Sequence, residues 1–338
     1  MAVTVKFFAS FREATGKEQE IIEGATDVAS LLEELTKRFG DKLSRLLYEP
    51  GTNKLRDTVN ILVNGRGINL LSGLQTKLKH GDVVAIFPPV SGGAALTPEE
   101  LERYNRQIII PGFEERGQRK LKRARVLVAG LGGLGSPASA YLVAAGVGYL
   151  TILDAERVEL SNLNRQILHW SSDVGRPKAA SAIEKLSRMN PNVELESRQE
   201  AVTRENADEL VENVDVVIDG MDNYPARYLL NEACVRRQIP FIHGAVEGFV
   251  GQLTTIIPGK GPCLRCIFPR EPPSAWARPI LGPTPGVVGC LQAMEAIKLI
   301  VGIGKPLVGQ MLLFDGEEMV FDLIRVSRDP SCPTCRGV

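Results

Sequence analysis

Residues 125–154 read RVLVAGLGGLGSPASAYLVAAGVGYLTILD, and this stretch decides the fold of the larger part of the chain. RVLVA is an apolar run of the kind carried by a strand covered on both faces. GLGGLG at 130–135 is a glycine-rich turn, SPASAYLVAAG is helical and YLTILD is a second strand. Together they predict a βαβ unit. Downstream, strand-like VDVVIDG (214–220) and PFIHGAV (240–246) alternate with helical RPKAASAIEKLSRM (176–189) and ARYLLNEACVRR (226–237). Residues 101–338 are therefore expected to form an α/β domain on a mainly parallel sheet.

Upstream, the pattern changes. VTVKFFA and EQEIIE read as two strands of a hairpin, and Val28, Leu31, Leu32, Leu35 and Phe39 make one apolar helical stripe behind Thr26-Asp27, ended by Gly40. VNILVNG (59–65) and DVVAIFPPV (82–90) supply further strands, so residues 1–93 predict a small α+β unit. It closes on Pro88-Pro89-Val90-Ser91-Gly92-Gly93, where prolines end the strand and glycines leave a narrow tail. Residues 94–100 form a linker and helix cap, with Thr97-Pro98-Glu99-Glu100 at capping-box spacing.

The chain has 338 residues, 44% hydrophobic and 24% charged, and its 40 basic and 40 acidic side chains cancel. That balance argues against nucleic acid or an anionic membrane as the partner of the whole molecule. The opening MAVTVKFFAS is too short and too alternating for a signal peptide, and no window is expected to approach the ~18 apolar residues that span a bilayer. The expected location is the cytoplasm. Three histidines, His80, His169 and His243, are too few for a histidine-rich metal centre.

The glycine loop follows a strand and opens a helix, where backbone N–H groups and the helix N-terminus face a phosphate. Asp154 ends the next strand, at the usual place for a carboxylate that binds ribose hydroxyls. These residues indicate a nucleotide but leave NAD and ATP both open. Ser161-Asn162-Leu163-Asn164-Arg165-Gln166, Lys178 and Asp222 add amides, cations and a carboxylate. Adenylation builds negative charge at the α-phosphate, which Arg, Lys and a carboxylate-held Mg²⁺ stabilise, whereas hydride transfer has little use for them. The structural alternative is that Arg165 and Lys178 are surface charges and Asp222 a turn residue.

Cys263-Leu264-Arg265-Cys266 and Cys332-Pro333-Thr334-Cys335 are two CxxC pairs, which suit a closed tetrahedral Zn²⁺ site, with a redox dithiol as the rival. Cys234 reads as a core residue within a helix, and Cys290 as a core residue at the start of one.

Five segments carry a resemblance over residues 97–338: RYNRQI (103–108), GLGGLG (130–135), LDAERVELSNLNRQ (153–166), GRPKA (175–179) and DGMDNYPARYLLN (219–231). They resemble the bacterial adenylyltransferases that activate sulfur-carrier proteins for molybdopterin or thiamine synthesis, relatives of ubiquitin-activating enzymes. The resemblance implies a Rossmann-like domain in which Gly132 and Gly133 approach the phosphates of ATP and Asp154 holds the ribose. Ser161, Asn162, Arg165 and Lys178 would contact the nucleotide, and Asp222 would coordinate Mg²⁺. It also implies the zinc site and a homodimer in which Arg106 reaches the neighbouring subunit's ATP. FFASFREATG (7–16) and VAIFPPVSGG (84–93) resemble the small sulfur-carrier subunit of molybdopterin synthase, a β-grasp (ubiquitin-like) protein whose reactive end is the glycine pair, here Gly92 and Gly93.

In this chain Gly93 is followed by Ala94, so its carbonyl is an amide. Either the chain is cut after Gly93, the preferred reading, or the carrier unit is a scaffold or pseudo-substrate and a separate carrier is activated. Thioester-forming relatives keep a cysteine after the first CxxC pair. Residues 270–285, REPPSAWARPILGPTP, contain none, so adenylation without an enzyme thioester is expected. A separate sulfurtransferase or cysteine desulfurase is the expected sulfur donor. A non-catalytic ATP-binding scaffold and an NAD-dependent oxidoreductase are the rival functions.

Overall fold

The computed structural model describes the chain except residues 9, 49–51, 53, 57–58, 69–70, 88–95, 272–278 and 338, and describes only the backbone at 10, 13 and 45. The glycine pair expected to be a carrier tail, Gly92 and Gly93, lies outside the described residues, as does part of the linker. The chain divides into two units, Met1–Gly93 and Ala94–Val338.

The first unit runs β1 (Ala2–Phe7), α1 (Ser10–Thr15), β2 (Gln19–Glu23), α2 (Val28–Phe39), α3 (Asp41–Leu47), β3 (Asn60–Val63), β4 (Arg66–Gly67) and β5 (Val83–Phe87). Its sheet has the order β2-β1-β5-β3-β4, with β1 and β5 parallel and the other pairs antiparallel. Helix α2 starts where Asp27 and Ser30 cap each other reciprocally and stops at Gly40, whose N–H reaches the Thr36 carbonyl. Such a cap contributes about 1 kcal/mol. The expected stripe of Val28, Leu31, Leu32 and Leu35 packs with Val5, Phe7, Ile61 and Ile86 of the sheet.

The second unit opens with three short helices, α4 (Pro98–Arg103), α5 (Asn105–Ile108) and α6 (Glu114–Leu121). It continues β6 (Arg125–Ala129), α7 (Gly135–Ala145), β7 (Tyr149–Leu153), α8 (Lys178–Met189), β8 (Glu194–Arg198), α9 (Ala207–Leu210), β9 (Val216–Asp219), α10 (Tyr224–Arg237) and β10 (Phe241–Glu247). It ends with β11 (Val250–Ile256), α11 (Leu264–Ile267), α12 (Pro283–Val301), β12 (Gln310–Asp315) and β13 (Val320–Arg325). The sheet order is β13-β12-β11-β10-β9-β6-β7-β8. Strands β8, β7, β6, β9 and β10 are parallel, and β11 to β13 extend them antiparallel. The mainly parallel α/β reading holds, whereas the antiparallel extension was not foreseen.

The chain reverses direction across the sheet between β6 and β9, which is where open α/β sheets form their binding crevice. Ala129 pairs with both Leu153 and Asp219, so β6, β7 and β9 end level and their following loops emerge side by side.

Two sequence expectations need correction. Cys290 does not start a helix: α12 begins at Pro283, because proline is favoured in a first turn, and Cys290 sits half-buried inside it. The same helix, 19 residues long, is also long and apolar enough to cross a membrane by length and composition, against the expectation of no such window. Its physical place is the core, where Val288, Ala293 and Ala296 are buried and the Gln292 amide donates to the Asp219 and Ile242 carbonyls at 2.7 and 3.1 Å.

Candidate active site

Three loops line the crevice. The glycine loop can exist only with glycine at 130: its φ is +92°, and a Cβ there would lie 2.5 Å from the Gly220 carbonyl oxygen. This close approach locks the glycine loop against the turn that follows β9. At Gly133 a Cβ would meet the Pro285 ring at 2.9 Å and Arg165 Cγ at 3.6 Å, which places the loop beside the start of α12 and the residue 161–166 segment. The N–H groups of Gly132 and Gly133 have no partner among the described residues.

Asp154 is buried just past β7. One carboxylate oxygen accepts from the Leu131 N–H and the other from the Glu156 N–H, both at 2.8 Å. Burial pushes this carboxyl up, against the charge of Lys178 and these two donors. Lys178, the first residue of α8, is itself buried and pairs with Glu156 at 2.5 Å. Arg165 is half-buried, and its guanidinium donates to the Ser161 carbonyl at 2.9 Å and to Asn164 Oδ1 at 2.8 Å. Buried Asn162 closes the turn by accepting from the Glu159 N–H, and exposed Ser161 bonds Glu159. Asp222 is exposed after β9, with Asn223 Nδ2 donating to it at 3.1 Å, while Asn223 caps α10 through the Ala226 N–H. Arg106, exposed on α5, makes no side-chain hydrogen bond or ion pair within the chain among the described residues.

Sequence reading passed over two features here. Gln166 is buried beside Gly132 with its Oε1 unpartnered among the described residues, and its Nε2 would lie 3.7 Å from a Cβ at Gly132. It stood inside a quoted motif without a role. Beneath the Asp222 turn, Asp219 binds His243 Nδ1 at 2.7 Å and lies 3.5 Å from Arg227, all three buried. Arg227 also donates to the Met221 and Gly244 carbonyls. Burial lowers the His243 pKa, opposed by Asp219.

The four cysteines of the CxxC pairs meet, with their sulfurs all within 4.8 Å of one another. Cys263–Cys332, Cys266–Cys335 and Cys263–Cys266 are 3.6, 3.4 and 3.9 Å apart. A tetrahedral zinc with bonds of about 2.3 Å has sulfur–sulfur edges of about 3.8 Å, so the donor set fits zinc and the spacings exceed a disulfide bond. Burial pushes the Cys266 thiol up to about 11 and raises Cys263 as well, a cost that a dication would offset. Asn231 of α10 accepts from the Leu264 N–H at 2.9 Å. The cluster is thereby tied to the helix whose N-terminus carries the Asp222 turn.

The ThiF family model matches residues 104–334, from the start of α5 to within the second cysteine pair, short of Cys335, and the ThiS family model matches residues 5–93. The chain belongs to the ThiF family. Among similar ThiF relatives, the sulfur carrier protein adenylyltransferase of Thermus thermophilus is 46% identical over 71% of this chain and 92% of its own length. The adenylyltransferase and sulfurtransferase MOCS3 of Drosophila sechellia is 45% identical over 72% of this chain and 56% of its own. The structure of E. coli MccB with ATP superposes with a TM-score of 0.58 at 25% identity, covering 65% of this chain and 69% of that one. This ThiF chain therefore carries a ThiS unit ahead of the ATP-using adenylation unit.

Proposed function

We propose that this chain adenylates the C-terminal glycine of a ThiS-type sulfur-carrier protein, preparing it for thiocarboxylation in molybdopterin synthesis. One observation carries the reading: a ThiS unit matched through residue 93 stands directly ahead of a ThiF unit in the same chain. The names of the Thermus and Drosophila relatives support adenylation and the latter the molybdopterin context.

In this reading the domain bounds are 1–93, 94–100 and 101–338. Gly132 and Gly133 receive the phosphates on N–H groups that have no partner among the described residues, Asp154 holds the ribose, and Ser161, Asn162, Arg165 and Lys178 surround the triphosphate. The carboxylate of the carrier's terminal glycine attacks the α-phosphorus, an O–P bond forms, and the bond to the β-phosphate oxygen breaks with its electron pair leaving on pyrophosphate. Arg165 and Lys178 lower the barrier by facing the charge that builds there, and the side-chain-free Gly92-Gly93 tail lets the carboxylate reach the phosphorus. A magnesium ion held by Asp222 would supply further neutralisation of the phosphates, and Arg106 would come from the second subunit of a homodimer. Four thiolates, those of Cys263, Cys266, Cys332 and Cys335, would hold the zinc.

Sulfur then comes from another protein, a sulfurtransferase or cysteine desulfurase. None of the chain's remaining cysteines is an activated thiolate: burial raises the pKa of both Cys234 and Cys290. The carrier is the chain's own first unit after cleavage behind Gly93, or a separate protein. ATP–pyrophosphate exchange tests the reading on the full-length chain with and without a carrier fragment ending at Gly93. Exchange is expected with the free fragment. No exchange in either arm from a folded, zinc-loaded protein would replace catalysis by a scaffold role.

A further inference from the structure

Beneath the glycine loop lies a chain of buried polar groups that has no place in the chemistry above. The Leu131 carbonyl accepts from Ser136 Oγ at 2.9 Å and lies 3.1 Å from His169 Nε2. A carbonyl oxygen can only accept, so Nε2 carries the proton. His169 Nδ1 is then a lone pair, and the Ser181 hydroxyl at 2.9 Å donates to it. Ser181 Oγ accepts in turn from Lys185 Nζ at 2.9 Å, and Lys185 pairs with Asp173 at 2.6 Å while lying over the Trp170 ring. His169, Ser181 and Asp173 are 3%, 0% and 1% exposed, so water does not compete for these bonds. Lys185 also donates to the Ser181 carbonyl at 3.1 Å, but its bond to Ser181 Oγ, that of Ser181 to His169 and that of His169 to Leu131 run in one direction, each polarising the next toward the Leu131 carbonyl.

The consequence follows from the peptide plane. The Leu131–Gly132 peptide is trans, so its carbonyl and the Gly132 N–H point in opposite directions. With the carbonyl held inward, the Gly132 N–H is turned outward, and it is one of the two loop donors without a partner among the described residues. We propose that His169, backed by Ser181 and Lys185, is a positioning residue that anchors the Leu131 carbonyl and so aims the Gly132 N–H at a phosphate of ATP. This rests on the adenylation reading of the same site.

The test compares ATP and adenosine affinity by titration calorimetry on the full-length protein with Mg²⁺. His169→Leu removes the donor at similar size, and it is expected to weaken ATP about tenfold, the scale of one lost hydrogen bond, while leaving adenosine unchanged. His169→Gln, which keeps a donor and an acceptor, is expected to recover most of the loss. Ser181→Ala leaves the ring in place and is expected to weaken ATP about two- to threefold, which keeps the test decisive if His169→Leu does not fold. Equal ATP affinity in wild type and the variants overturns the proposal, as does parallel loss of ATP and adenosine, or a Gln variant no better than Leu. A wild-type chain that binds no ATP instead overturns the adenylation reading and this inference with it.

Discussion

The two units bury different chemistry. Among the described residues, the buried set of the first unit is apolar but for Thr76. The second unit buries Asp154, His169, Asp173, Lys178, Asp219, Arg227, His243 and Gln292 around the crevice, besides Glu100, Gln118, Asn190 and Glu295 elsewhere. A buried charge or amide costs several kcal/mol unless its partners are in place. The first unit is thus held mainly by apolar packing, while the second also carries buried polar groups along its crevice. Substitutions should therefore separate: in the first unit they should move stability, and at the crevice they should move activity.

The largest effect expected is at the cations proposed to face the phosphates. Lys178→Met should lower ATP–pyrophosphate exchange by about 10²–10³-fold with little change in melting temperature, since its partner Glu156 is 63% exposed and is left in water. A melting loss of the same order as that of a core truncation would break the contrast between the units. Next, Cys332→Ser should abolish binding of one zinc per chain, read by metal analysis. It should also lower exchange, because the cluster is tied through Asn231 to the helix behind Asp222.

In the first unit, Leu35→Ala removes a fully buried side chain from the α2 stripe and should cost about 2–5 kcal/mol in that unit's unfolding. Adenylation of a separately supplied carrier fragment should be unchanged, and a loss there would show that the first unit supports the enzyme.

The smallest effect is in acid. His169 is held down to about 4, chiefly by burial and then by the charges of Lys178 and Lys185 against the bond to Leu131 and the charge of Asp173. Its unfolded value is 6.5, so as pH falls the unfolded chain takes up the proton first. Stability of the second unit should fall from about pH 6.5 to about 4, and His169→Gln should flatten that slope. Asp27 in the first unit behaves oppositely: bonds from the Ser30 N–H and hydroxyl and from Lys77 hold it at about 2 against 3.8 unfolded, so its contribution persists above about pH 4 and is lost toward 2. Both tryptophans, Trp170 and Trp276, lie in the second unit, so fluorescence reports that unit while circular dichroism reports both. Wild-type stability of the second unit, read by fluorescence-monitored denaturant unfolding, that stays flat between pH 6.5 and 4 would remove this pH linkage of His169.

The local signals were legible because they are carried by neighbouring residues. The α2 stripe, the Thr97 and Asp27 caps, the β6–α7–β7 unit and the two cysteine pairs each follow from side-chain period, capping chemistry or ligand type within a few positions. By contrast, β11 to β13 carry no regular alternation, β13 being exposed along its whole length, and nothing local states that they continue a parallel sheet. Cys290 was misplaced because the start of α12 depends on Pro283 and on packing over the glycine loop, where a Cβ at Gly289 would strike the Leu134 carbonyl at 2.4 Å.

The sequence alone determined the nucleotide-binding loop, the division into two kinds of unit and the metal-ligand pairs, because each is written in contiguous residues. Only the tertiary structure decided that sulfurs 69 residues apart along the chain meet, and that Gly130 is pressed against Gly220. It alone set Gln166, His169 and the Asp219–His243–Arg227 cluster behind the crevice. These are partnerships between residues far apart in the chain, set by which strands lie side by side, and a side chain's neighbours in space leave no trace in its neighbours in sequence.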